Sequence, residues 1–147
     1  MKARSRAKDP APEVELDELR AAVADGSVDT VLLAIADMEG RLQGKRLTAQ
    51  HFLGEILENG YEGCSYLLTV DPDMTTVGGY EMTSWDKGYG DFEMTPDLAT
   101  LRPVPWHEAT VMVMADANWH GDDPVIASPR QILKRQLDRL EERGLIA

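Results

Sequence analysis

The chain has 147 residues, a formal net charge of −11, 43% hydrophobic and 28% charged residues, and one cysteine, Cys64. That is length for one domain, or one domain and the start of another, with enough apolar material for a real core. Its acidity argues against nucleic-acid binding, which needs clustered Lys and Arg. One cysteine excludes an internal disulfide, and no apolar run approaches the ~20 residues of a membrane span. A reducing, cytoplasmic setting is the plain expectation.

Residues 1–13, MKARSRAKDPAPE, read as a basic disordered tail. In VELDELRAAVADG, Leu16, Leu19 and Val23 recur at helical spacing, and Asp25-Gly26 stops the pattern. DTVLLAIAD is a short apolar run with β-branched members and predicts a buried strand. MEG turns the chain, and RLQGKRL alternates as the hairpin partner. TAQHFLGEILENG predicts an amphipathic helix, with Thr48 as N-cap and Phe52, Leu53, Ile56 and Leu57 as its stripe. CSYLLTV predicts another strand.

A long loop rich in Gly, Asp and Thr follows from DPDM onward, with Tyr80, Trp85, Tyr89 and Phe92 spread along it. Loops of this length inside a domain are usually functional or mobile. PDLATLRPVPW, residues 96–106, has three prolines, which cannot donate to a sheet ladder and push their predecessors to extended geometry. It predicts a stiff extended connector anchored by Trp106, containing the strand candidate ATLRPV. ATVMVMAD predicts a further strand and WHGDDP a turn. In SPRQILKRQLDRLEERG, Ser128 caps a helix, Pro129 takes its first position, and Ile132, Leu133, Leu137 and Leu140 form a stripe expected to be buried. This order describes an α+β domain: a β-grasp-like small mixed sheet with one packed helix.

His51, His107 and His120 have no metal-ligand spacing, so solvated or locally bonded histidines are expected. Cys64 lacks a neighbouring base and is expected to be inert. The glycine pairs are too sparse for a phosphate cradle. Between Leu57 and Asp123 the only lysine or arginine residues are Lys87 and Arg102, so this middle section is an acidic surface or an acidic site. Within it, VDPDM places Asp71 and Asp73 just beyond a predicted strand. A carboxylate there could hold a cation or take a proton from an amine. Asp-Pro-Asp is also good turn chemistry, and on spacing alone the turn is preferred.

Three stretches, GRLQGKRL, PDLATLRPVPW and PVIASPRQILKRQL, together resemble glutamine synthetases, from about Val28 to the end. The resemblance implies a β-grasp N-terminal domain over 14–127 and the first helix of a truncated catalytic domain over 128–147. It implies a ligase joining ammonia or an amine to glutamate through γ-glutamyl phosphate. ATP and Mg or Mn would be bound mainly by the catalytic domain, so this chain alone is expected to be inactive. The partners implied are neighbouring subunits of a ring-shaped homo-oligomer, with the active site between subunits. The family's Phe-Asp-Gly-Ser-Ser loop resembles VDPDM, which gives Asp71 the role of binding ammonium and deprotonating it. Its Ser-Asp-Met…Pro-Asp stretch resembles GDFEMTPD and puts Asp91 in a matching loop position. Gly-Ser-Ser is replaced by Pro72-Asp73-Met74, and an acidic loop suits a cationic amine. Two further expectations compete: a non-catalytic stand-alone β-grasp module, and a cation- or amine-binding domain.

Overall fold

The computed structural model describes residues 16–86, 88–120 and 123–146. The expected basic tail lies outside the described residues.

Helix α1 (Leu16–Ala24) buries Leu19. Strands β1 (Thr30–Ala36) and β2 (Leu42–Thr48) form the expected antiparallel hairpin. Residue Gly44 of β2 is required by close packing. A Cβ there would lie 1.9 Å from the Leu33 carbonyl oxygen.

The helical segment 49–59 starts at Thr48, whose hydroxyl accepts from the His51 N–H, as expected of the cap. It runs through α2 (Ala49–His51), a π-helical turn (Phe52–Ile56) and α3 (Leu57–Asn59). Phe52 and Ile56 are buried, and Leu53 and Leu57 pack half-buried against the same cluster.

Strands β3 (Tyr61–Cys64), β4 (Asp91–Pro103), β5 (Thr110–Trp119) and the short β6 (Asp123–Pro124) complete a mixed sheet. Its order is β2-β1-β5-β4-β3, with β6 beside the end of β5. The β1–β5 pair is parallel and the others are antiparallel. Period-2 alternation sends Val31, Leu33, Ile35, Val111, Val113, Ala115 and Ala117 into one cluster with Phe52, Phe92 and Leu19. Each large apolar side chain so buried contributes about 1.5–3 kcal/mol. The fold is α+β and β-grasp-like, as the element order predicts.

Four expectations are corrected. The strand predicted at CSYLLTV lies earlier, over Tyr61–Cys64, and Ser65–Leu68 is a 3-10 turn. The long loop ends sooner, because Phe92 belongs to β4 and is fully buried. The strand candidate ATLRPV is the end of a longer strand, since β4 takes in the connector as far as Pro103; it is broken by a bulge between Asp97 and Arg102, where Thr100 Oγ1 accepts from the Met114 N–H at 2.8 Å. Prolines fit here because β3 pairs only as far as Met94, so Pro96 and Pro103 have β5 alone as ladder partner. Trp106 is 75% exposed, so the anchor expected there is not a buried one.

The fourth correction concerns helix α4 (Pro129–Glu141). Ser128 caps it and Pro129 opens it, as expected, but its stripe is not buried. Ile132, Leu133 and Leu137 are exposed, Leu133 by 58%. The helix is tied to the sheet by charge instead. Arg130 pairs with Asp97 and Asp116, and Lys134 with Asp116.

Candidate functional site

The chain leaves the sheet at Cys64 and re-enters it at Asp91, and these two residues are paired. Residues 65–90 are therefore one excursion from one end of the β3–β4 ladder. Few apolar side chains hold it. The Ser65 N–H donates to the Gly90 carbonyl at 2.8 Å, closing the base. The buried Ser65 and Thr83 hydroxyls meet at 3.2 Å, and Thr83 Oγ1 reaches the Gly88 carbonyl at 3.1 Å. A small hairpin follows, with Val70 bridging Thr76 and the Val77 N–H donating to the Thr69 carbonyl. Leu68 and Val70 are buried beneath it.

Asp71 is the first residue of the tip of this hairpin. Its N–H donates to the Thr75 carbonyl, and its own carbonyl accepts from the Met74 N–H. Its Oδ1 accepts from the N–H groups of Asp73 and Thr75, both at 2.9 Å. This is the local self-bonding that makes Asp favourable in turns. Oδ2 has no hydrogen-bond partner among the described residues. The turn and a reactive carboxylate are thus compatible: one oxygen holds the geometry while the other is left over. Asp91 stands apart from this tip, exposed at the start of β4. No hydrogen bond joins the two carboxylates, and among the described residues neither belongs to a group of three or more His, Cys, Asp or Glu that could hold a metal ion.

Beyond the tip, Tyr66, Tyr89 and Trp85 form an edge-to-face series, with ring centroids 6.5 Å and 5.3 Å apart. The Trp85 indole N–H donates to Thr76 Oγ1 at 3.1 Å, tying the series to the residue just past the Asp71 turn. Trp85 is nevertheless 78% exposed. It lines an open depression of about 460 Å³ together with Gly78, Gly79, Tyr80, Glu81, Ser84 and Asp86. Aromatic faces beside carboxylates form a surface that favours a cation.

Sequence reasoning passed over the residues that fix the tip. Asp37 follows directly on β1 and is 0% exposed. It accepts from the Glu39 N–H (3.0 Å), the Arg41 N–H (2.8 Å), Arg41 Nε (2.7 Å) and Gln43 Nε2 (3.1 Å). Burial pushes its carboxyl pKa up, but the bonds from Gln43, Arg41 and Glu39 outweigh it and hold the pKa below the usual carboxylate range. Arg41 is held more firmly charged by the Asp37 hydrogen bond, against some desolvation. Its other nitrogens cross to the Asp71 tip. Nη1 donates to the Pro72 carbonyl at 2.6 Å and Nη2 to the Asp71 carbonyl at 3.1 Å. The only trace in the sequence is an Asp and an Arg four apart around a hairpin turn, a spacing that reads as surface charge.

Among the described residues no group of three or more His, Cys, Asp or Glu could hold a metal ion, and no helix is long and apolar enough to cross a membrane. His51, His107 and His120 are all exposed.

No family model matches the chain. It is 58% identical over 95% of its length to a gamma-glutamylethanolamide synthetase of Streptomyces coelicolor, and 35% identical over 80% to a glutamate–isopropylamine ligase of a Pseudomonas species. The chain spans 30% and 26% of the lengths of these two relatives. Among solved structures it superimposes on GmaS bound to ADP with a TM-score of 0.65 at 21% identity, covering 85% of this chain and 26% of that one. That likeness concerns the fold. The chain belongs to the glutamine synthetase family and carries the fold of that family's N-terminal domain.

Proposed function

We propose that this chain is the N-terminal part of a glutamine synthetase-like ligase, which forms a γ-glutamyl amide from glutamate and an amine through γ-glutamyl phosphate with ATP. The observation that carries this reading is the 58% identity to a gamma-glutamylethanolamide synthetase across 95% of the chain. The chain contributes one wall of an active site shared between subunits of a ring-shaped oligomer, and that wall is the 65–90 excursion. Residues 14–127 are the β-grasp domain. Residues 128–147, which contain helix α4, open the catalytic domain, which would cover the exposed Ile132, Leu133 and Leu137.

Asp71 is the amine-side acid. Its Oδ2, unpartnered among the described residues, holds the substrate ammonium and takes a proton from it; the freed amine then attacks the γ-glutamyl carbonyl carbon, and the C–O bond to phosphate breaks as phosphate leaves. Asp91 adds negative charge at the re-entry into the sheet. An organic amine suits this surface better than ammonia, because the depression beside Trp85 and Tyr80 offers apolar area next to Glu81 and Asp86. In this reading ATP and Mg or Mn are bound mainly by the rest of the ligase; among the described residues no group of three or more His, Cys, Asp or Glu could hold a metal ion. In this reading the chain by itself is inactive.

The test is a turnover assay of the full-length ligase with glutamate, ATP and a panel of ammonia, ethanolamine, isopropylamine and spermidine. At least one organic amine should be used in preference to ammonia. Asp71→Asn should lower kcat by about 10²–10⁴-fold, the usual contribution of a general base, with little change in KM for glutamate. Exclusive use of ammonia would overturn the organic-amine reading, and unchanged turnover by Asp71→Asn would remove Asp71 from the site.

A further inference from the structure

We infer that Arg41 is a positioning residue for the amine side of the site, locking the Asp71 turn onto the β1–β2 hairpin with Asp37 as its fixed base. This rests on the reading of Asp71 as the amine-side acid. Asp37 is fully buried and uses both carboxylate oxygens: Oδ1 on the Glu39 and Arg41 N–H groups, Oδ2 on Arg41 Nε and Gln43 Nε2. The hub therefore fixes the plane of the Arg41 guanidinium. From that plane the two remaining nitrogens reach backbone carbonyls 30 and 31 residues away, at Asp71 and Pro72. Nη2 is also steadied by Glu39 Oε2 at 3.1 Å. Gln43 repeats the bridge more weakly, donating to both Asp37 Oδ2 and Met74 Sδ.

The consequence falls on one atom. The Asp71 carbonyl is held by Arg41 and by the Met74 N–H, its N–H by Thr75, and its Oδ1 by Asp73 and Thr75. Oδ2 is then the one polar atom of the residue left without a partner among the described residues, and its position is set by the rest. A carboxylate that must meet an ammonium gains from this fixity, because small misplacements of a catalytic group cost large factors in rate. Only arginine supplies the planar fork. A lysine at position 41 keeps the charge but places it at one point.

The experiment uses the full-length ligase with Arg41→Met, Arg41→Lys, Asp71→Asn and the Arg41→Met/Asp71→Asn pair. Arg41→Met should lower kcat about tenfold or more and leave KM for glutamate unchanged, with Arg41→Lys in between. Since Arg41 acts through Asp71, the double variant should be no slower than Asp71→Asn alone. Amide exchange at Asp73 and Thr75 should accelerate by about tenfold in Arg41→Met and remain unchanged at Val113 in β5. Additive losses in the double variant, or unchanged exchange at Asp73 and Thr75, would overturn the inference. If Arg41→Met loses the fold, shown by faster exchange at Val113 as well, Arg41→Lys carries the same comparison. Wild-type turnover by Asp71→Asn would overturn the amine-side reading instead, and exchange at Asp73 and Thr75 would still decide the clamp.

Discussion

Phe92 in the sheet and Asp37 at the base of the Asp71 turn are equally buried, and the forces on them differ in kind. Phe92 belongs to an apolar cluster with Leu33, Phe52, Met94 and Val113, where each contact is weak and non-directional. The Asp37 carboxylate accepts four hydrogen bonds, each with a direction, and through Arg41 it governs a turn 30 residues beyond that arginine. The sheet gains its stability from summed area, and the excursion gains its geometry from a few polar bonds. A frame built by area tolerates small shifts among its members. A site built by directed bonds does not, and that is where placement of a reactive carboxylate has to be decided.

The largest effect is expected in the sheet. Phe92→Ala should remove about 3–5 kcal/mol, measured by urea unfolding, since the loss combines transfer and cavity terms. Next comes the hairpin that carries the clamp. Gly44→Ala would drive a Cβ into the Leu33 carbonyl, backbone against backbone, with no flexible side chain to yield. It should cost about 3 kcal/mol, the upper end for overpacking. A neutral Gly44→Ala would mean that β1 and β2 can separate freely, and the clamp would lose its rigid base.

A smaller effect, conditional on pH, isolates the polar region. The folded-state pKa of Asp37 lies below the unfolded value of about 3.9, so its stabilisation is fully present above that pH. It is lost as the pH falls toward and through the folded pKa, because the unfolded chain takes up the proton first. Asp37→Asn has no such group. Unfolding midpoints of the two proteins should differ at pH 7 and converge below about pH 4. A gap that stays constant from pH 7 to pH 2 would contradict the depressed pKa.

The same contrast explains what could be read from the sequence. Val31, Leu33 and Ile35 announce a strand by alternation, and Thr48 and Ser128-Pro129 announce helix starts, because those signals are local. CSYLLTV misled because a short apolar run looks alike in a strand and in a buried 3-10 turn. The stripe on α4 was legible as apolar, but its spacing does not say what covers it. At the site, VDPDM is legible as a turn and, through resemblance, as a position of interest. Its fixity is not legible, because that depends on Arg41 meeting carbonyls of Asp71 and Pro72, backbone groups that every residue possesses.

The smallest expected effect concerns the turn itself. Met74 has φ +63°, in the left-handed region, where a residue with a Cβ pays roughly 1–2 kcal/mol. It is also 40% exposed, so little burial offsets that strain. Asparagine tolerates this conformation better than most residues. Met74→Asn should therefore raise stability slightly, by about 0.5 kcal/mol, and leave amide exchange at Asp73 and Thr75 unchanged. Met74→Val, β-branched and poorly suited to positive φ, should lower stability by about 1 kcal/mol and speed exchange at those two amides. If valine were accepted with no change in either measurement, the turn would be free to settle in another conformation. Asp71 would then not be held by the geometry described, and the contrast between a tolerant sheet and an exacting tip would fail at the tip.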